Sequence, residues 1–321
     1  MRINKISYIF QGSFVIITFS FLLNTQIFSQ NWEKLCSTKN VKKMIEMIDK
    51  NPKKINILDK ANGATVLHYA SFYGLNDFID YLLKQGASIE KEDFEGWTAL
   101  YYALANHQDS TVVFLMRKGS DVNHKDKTGA TSLMLAAVEG NDWAIHTLAA
   151  LGAAINAVDQ NRRNALMFAI IQEKNSTIKL LIEIGSDINI QESVGGMTPL
   201  LTACSTGDLG IVILLIEKGA NIDMTTFNGV SPLMSVTGSG FYSIAEHLLD
   251  KGAEINKKSN IGETALMYAA GHGHLELIKL LVSNGAEINL RSNSGWTALK
   301  YATDGRNINV ADYLIANRAD F

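Results

Sequence analysis

Apolar residues along most of this chain fall into pairs of short helical faces. Between Glu276 and Asn284 they sit at Leu277, Ile278, Leu281 and Val282. That i, i+1, i+4, i+5 spacing places them on one side of an α-helix. Upstream, Thr264 stands where an N-cap is wanted, and Leu266, Ala269 and Ala270 follow on a second apolar face. Gly273 separates the two faces and suits a tight turn. Gly285 follows the second face, where a left-handed residue ends a helix. The predicted unit is therefore helix, turn, helix, and a short extended segment leading into the next unit.

The same pattern recurs along the chain. A Gly-(Ala/Ser)-x-(Ile/Val) tetrad starts at Gly86, Gly119, Gly152, Gly185, Gly219, Gly252 and Gly285, with a degenerate copy at Arg318. The steps are 33 residues, except for one of 34 between Gly185 and Gly219. A second mark keeps this register. Thr65, Thr98, Thr131, Asn164, Thr198, Ser231, Thr264 and Thr297 each stand two residues before a Leu. A unit this short cannot bury its own apolar face, so neighbours must stack into one core. The expected fold is an all-α solenoid of helix-turn-helix units with short β-turn or hairpin fingers. Its eight units span 62–94, 95–127, 128–160, 161–194, 195–227, 228–260, 261–293 and 294–321.

This unit resembles the ankyrin repeat, whose signature is Thr-Pro-Leu-His-x-Ala. Thr65-Val66-Leu67-His68-Tyr69-Ala70 keeps the His, while Thr198-Pro199-Leu200 and Ser231-Pro232-Leu233 keep the Pro. The Leu is constant through Leu67, Leu100, Leu133, Leu166, Leu200, Leu233, Leu266 and Leu299. Apolar pairs such as Leu82-Leu83, Leu181-Ile182 and Leu248-Leu249 mark the second helix. The signature His survives only at His68, so the other repeats lose the hydrogen bond it makes in the family. The 34-residue step places an extra residue in the turn 191–197, where a longer finger is expected. Gly238 and Gly240 at the end of a first helix are expected to loosen that joint.

The ends differ from the repeats. In residues 1–29, Arg2 and Lys5 precede an apolar run from Phe14 to Leu23 and then a polar tail. This is the three-part form of a secretory signal peptide, with cleavage before Gln30. The rival reading is an uncleaved anchor, but residues 8–23 contain Gln11 and Gly12 and fall short of the ~20 residues that a span needs. A lipid attachment at Cys36 is disfavoured by Glu33 and Lys34 just before it. Residues 30–61 read as an N-terminal capping unit. Val41, Met44, Ile45 and Ile48 share one face, and Lys42, Lys43, Glu46 and Asp49 lie opposite. Export with this leader implies a periplasmic or secreted protein of bacterial type. A retained leader implies an inner-membrane anchor facing outward.

Charge narrows the partners. Lys and Arg number 29 and Asp and Glu 32, and removal of the leader takes the net charge from −3 to −5. Nucleic acid is disfavoured, since phosphate binding needs a basic stripe. Cys36 and Cys204 lie too many layers apart for a disulfide, at roughly 10 Å per layer against a limit of about 7 Å. His272-x-His274 has the look of a metal pair, but it falls on the Gly-His-Leu turn of the repeat, and zinc needs three or four converging ligands. No nucleophile elbow, phosphate loop or zinc-protease motif is present in the sequence. Neither a catalytic residue nor a cofactor, metal or small-molecule substrate is expected.

The resemblance implies that a protein partner lies on the concave side, against the fingers and first helices. Two register positions sample that side: the residue before the Thr and the residue two after the constant Leu. They are rich in aromatics, which interface hot spots favour. The candidates at the N-terminal end are Tyr69, Tyr73, Phe94, Trp97 and Tyr102; Phe168 lies midway, and Tyr268, Trp296 and Tyr301 lie at the C-terminal end. Each of these rings serves either a partner or the packing between repeats. The expected function is a non-enzymatic scaffold for a protein partner. The alternative is a membrane-tethered spacer with residues 8–23 retained.

Overall fold

The Thr, Ser or Asn ahead of each constant Leu starts a helix. In the computed structural model, which describes residues 32–320, Thr131, Asn164, Thr198, Ser231 and Thr297 each accept a hydrogen bond from the backbone N–H three residues on. Such a cap satisfies one of the free donors of the first turn. Among the described residues there are 18 α-helices and no β-strand. The fingers between the helix pairs are closed by turns. The leader and the candidate span at 8–23 lie outside the described residues, and no described helix is long and apolar enough to cross a membrane.

The chain divides into two compact units, Met1–Lys127 and Thr128–Phe321. The first holds a capping pair, α1 (Trp32–Ser37) and α2 (Val41–Lys50), followed by a 3-10 turn over Pro52–Asn56. Two repeats follow: α3 (Val66–Phe72) with α4 (Asn76–Lys84), and α5 (Ala99–Ala105) with α6 (Asp109–Arg117). Helix α1 packs on α3, and α3 on α5. Asn40 caps α2, and the buried Cys36 and Met44 meet at 3.6 Å between sulfurs.

The second unit holds six helix pairs. They are α7 (Ser132–Glu139) and α8 (Asp142–Ala150), α9 (Ala165–Ile171) and α10 (Asn175–Glu183), and α11 (Pro199–Thr206) and α12 (Leu209–Glu217). Next come α13 (Pro232–Ser239) and α14 (Tyr242–Asp250), α15 (Ala265–His272) and α16 (Leu275–Ser283), and α17 (Ala298–Asp304) and α18 (Ile308–Ala316). The six first helices pack in succession from α7 to α17, and each second helix lies against its own first helix.

The core within each unit follows the register. All eight constant Leu residues are buried, as is the residue three further on, which is Ala in every repeat but one. The exception, Val236, is also buried. A small side chain there lets successive first helices approach, while each Leu withdraws its side chain from water for ~2 kcal/mol. Behind them the second helices bury three positions at i, i+1 and i+4, as in Phe78, Ile79 and Leu82. An Asn after the Gly tetrad joins one repeat to the next. Asn189, for example, donates to the Gly219 carbonyl and accepts from the Asn221 N–H.

The irregular joint at Gly238 and Gly240 is closely packed. Gly238 lies inside α13, where a Cβ would come within 3.2 Å of the Tyr268 ring, so it gives α15 room to approach. Gly240 ends α13 with φ 85°. The joint thus pairs a close approach of two first helices with a regular left-handed cap. The loss of His is also narrower than expected. His68 accepts the Thr65 N–H at Nδ1 and reaches the Trp97 carbonyl with Nε2, both at 2.9 Å. In repeat six the Met234 sulfur takes the Ser231 N–H at 3.5 Å, replacing the first bond and leaving the second unmade.

Candidate functional site

Each finger is built on a polar residue five or six positions before the helix-capping residue. In the first unit Asp93 accepts the backbone N–H groups of Glu95 and Trp97, both at 2.8 Å, and the Tyr102 hydroxyl at 2.8 Å. Burial raises the Asp93 pKa, and these donors pull it back only in part. Asp59 accepts the Tyr69 hydroxyl at 3.1 Å. Trp97 reaches Asp126 with its indole N–H at 3.3 Å and lies edge-on to Tyr102, with ring centres 6.2 Å apart. His68 closes the group from the other side of Tyr102.

The carboxylates decide which rings are accessible. Tyr69, Trp97 and Tyr102 are buried, Trp97 at 8 % exposure and Tyr102 at 1 %. They pack within the first unit, which is the second of the two roles open to these rings. Of the five N-terminal candidates, Phe94 and Tyr73 keep surface, Phe94 being 45 % exposed at the tip of its finger. In the second unit Phe168 is buried beneath the Arg163 guanidinium, which lies 4.7 Å from the ring centre and is paired with Asp159.

The C-terminal candidates differ because Ser259 and Ser292 occupy the finger base in place of Asp. Tyr301 then donates to the Glu263 carboxylate at 2.6 Å, and Tyr268 bonds to the same group. Both rings stay half-exposed. Burial and the neighbouring carboxylate raise the pKa of each hydroxyl. Trp296 lies edge-on to Tyr301 at 5.2 Å and carries the Lys300 ammonium over its face. Tyr268, Trp296 and Tyr301 are thus brought together around one carboxylate.

Other exposed apolar residues of the second unit were not singled out in the sequence. Val194, Phe227 and Ile261 stand at three successive finger tips. They stand at different positions of the turn: Phe227 aligns with Gln160, Asn260 and Asn293, Ile261 aligns with Asn161, Asn228 and Ser294, and Val194 lies in the turn that is one residue longer. They lie outside the two register positions that carry the first-helix aromatics.

Chemistry is sparse. Among the described residues no three His, Cys, Asp or Glu side chains converge to hold a metal. His272 and His274 stack in parallel at 6.1 Å, with one ring nitrogen of each directed at a backbone carbonyl. Cys36 and Cys204 are buried free thiols, and burial pushes both up to about 12.

Comparison with known proteins agrees with this layout. No curated protein matches the chain. The family model described as "Ankyrin repeats (3 copies)" matches at residues 34–126, 106–192, 166–259 and 233–321. Those matches overlap to cover nearly all of the chain, with capped helix pairs and a constant buried Leu throughout, and the chain belongs to the ankyrin-repeat family.

Proposed function

We propose that this protein is a non-enzymatic scaffold that holds a protein partner on its finger and first-helix side, the concave side that the architecture implies. Ankyrin repeats are protein-interaction modules. The observation that carries the reading is the half-exposed trio Tyr268, Trp296 and Tyr301, fixed in place by Glu263. Rings held this way offer contact area at little cost in side-chain entropy, which is what a hot spot requires. In the first unit Phe94 and Tyr73 serve the same purpose. The reading of residues 1–29 as a secretory leader supports a periplasmic or secreted location, and N-terminal sequencing of the exported protein tests this. An intact Met1 would favour the tethered spacer.

Site-specific photocross-linking tests the binding side. A benzophenone amino acid at Tyr301 or at Phe94 should capture another protein in native cells. The same probe at Ile315, exposed on α18, should not. Capture from Ile315 alone would overturn the proposal.

A further inference from the structure

We propose that Glu263, Tyr268, Trp296 and Tyr301 receive an arginine side chain of the partner polypeptide. This names the partner's chemistry at the site that carries the scaffold reading, and it rests on that reading. Repeat four shows the complete arrangement within the chain itself. Arg163 stands just before the capping Asn164, and Phe168 stands four residues after it. The Arg163 guanidinium lies 4.7 Å from the Phe168 ring centre and pairs with Asp159 at 2.7 Å. Ring, carboxylate and guanidinium close over one another, and Phe168 is buried.

Repeats seven and eight keep the ring and the carboxylate but lack the guanidinium. Tyr268 and Tyr301 hold the position of Phe168, while Glu263 and Trp296 hold that of Arg163. The acid has moved from the finger base, here Ser259 and Ser292, to the residue before the cap. Both hydroxyls bond to Glu263, Tyr301 at 2.6 Å. A carboxylate offers about four acceptor sites, so about two remain for a bidentate guanidinium. Glu263 is half-exposed, and among the described residues it is in no ion pair. The cations of these fingers are held elsewhere: Lys258 on the Arg291 carbonyl at 3.1 Å, and Arg291 on the Gly295 carbonyl at 2.9 Å.

Lys300 shows what the cluster attracts. Its ammonium lies 5.2 Å from the Trp296 ring centre, so one face of the group already draws a cation. Three aromatic rings around an unpaired carboxylate are electronegative, complementary to a cation and repellent to an acid. Arginine suits them better than lysine. Its planar fork stacks on a ring and grips a carboxylate at once, as Arg163 does in repeat four. An apolar side chain would cover the rings but leave the Glu263 charge desolvated and unpaired.

Selection of displayed random 12-residue peptides on the purified protein tests this. The recovered pool should be enriched in Arg over the starting library. A fluorescent peptide from that pool should bind at least about tenfold more weakly when its Arg is replaced by citrulline, the neutral analogue of the same shape. Glu263→Gln in the protein should weaken it by about as much, with an unchanged circular-dichroism spectrum. Lys300→Gln removes the competing cation and should tighten binding about threefold, a gain that a misfolded variant cannot produce. A pool without Arg enrichment would overturn the proposal. So would equal binding of the citrulline peptide or equal binding to Glu263→Gln. Weaker binding to Lys300→Gln would also overturn it, and would mark an acidic partner. Binding lost on Trp296→Ala but indifferent to citrulline would sink the arginine assignment and leave the scaffold reading standing. Binding indifferent to both Trp296→Ala and Tyr301→Ala would sink the two together.

Discussion

The longest finger of the second unit gives the sharpest test of the physical account. In the 34-residue repeat, Glu192 stands where its neighbours have Asp or a hydroxyl, and its turn is one residue longer. The carboxylate accepts three backbone N–H groups: Val194 at 2.7 Å, Gly195 at 2.6 Å and Met197 at 3.0 Å. The extra methylene of Glu spans the extra residue. Glu192→Asp withdraws the carboxylate by about 1.5 Å, the length of one C–C bond. The bond to Met197 would then open to about 4.5 Å, beyond hydrogen-bonding range. Losing a bond to a charged acceptor costs about 1.5–3 kcal/mol, and water at the finger recovers part, so the expected loss is ~2 kcal/mol. The first repeat shows how Asp manages a turn of this length. Asp59 takes the Ala61 N–H at 2.8 Å, and Asn62 takes the Ala64 N–H at 2.9 Å. Gly195 occupies the position of Asn62. Gly195→Asn should therefore rescue Glu192→Asp. Alone it should not help, because its Cβ would come within 3.2 Å of the Glu192 carboxylate. Urea titrations of the four proteins form a double-mutant cycle. With a slope of about 2 kcal/mol per M, the single Asp variant should lower the midpoint by about 1 M, and the double variant should regain at least half. A loss below about 0.5 kcal/mol, or no recovery, would refute the reasoning.

Three further outcomes are expected. Exposed Glu173 is held at φ 53°, where five other repeats place Gly, so Glu173→Gly should raise stability by about 1 kcal/mol in the same titration. The Ser186 hydroxyl is buried without a hydrogen-bond partner where six other repeats have Ala, and Ser186→Ala should also gain about 1 kcal/mol. His68 is held neutral by burial, which lowers its pKa from 6.5 to about 4. Between those values the unfolded chain takes up a proton that the folded one does not. His68 should therefore contribute stability that is full above pH 6.5 and falls as pH drops toward 4. Urea midpoints at pH 7 and pH 5 should differ less for His68→Gln than for the parent.

Repetition made the fold legible. One capping Thr is weak evidence, but eight copies in register locate every first helix, and α3, α5, α15 and α17 each begin one residue after the marked Thr. The candidate site was less legible, because residue type says little about burial when the deciding partner lies outside the motif. Tyr102 and Tyr301 occupy the same register position and read alike in the sequence. Tyr102 finds Asp93 nine residues upstream in its own finger, and burial follows. Tyr301 finds Ser292 there instead, bonds across to Glu263 of the preceding repeat, and stays half-exposed. Phe168 has no hydroxyl, yet the Asp159 and Arg163 pair of its own finger covers it just as well. The finger base therefore governs whether a first-helix aromatic is spent on packing or left for a partner. Its change from Asp or Glu in repeats one to five to Thr or Ser in repeats six to eight places the accessible inner rings toward the C-terminal end. The apolar tips follow a different logic. Within the second unit Phe227 and Ile261 stand at two adjacent turn positions that are otherwise Asn, Gln or Ser, and Val194 lies in the longer turn, so they are visible only once the copies are aligned on the finger as well as on the helix.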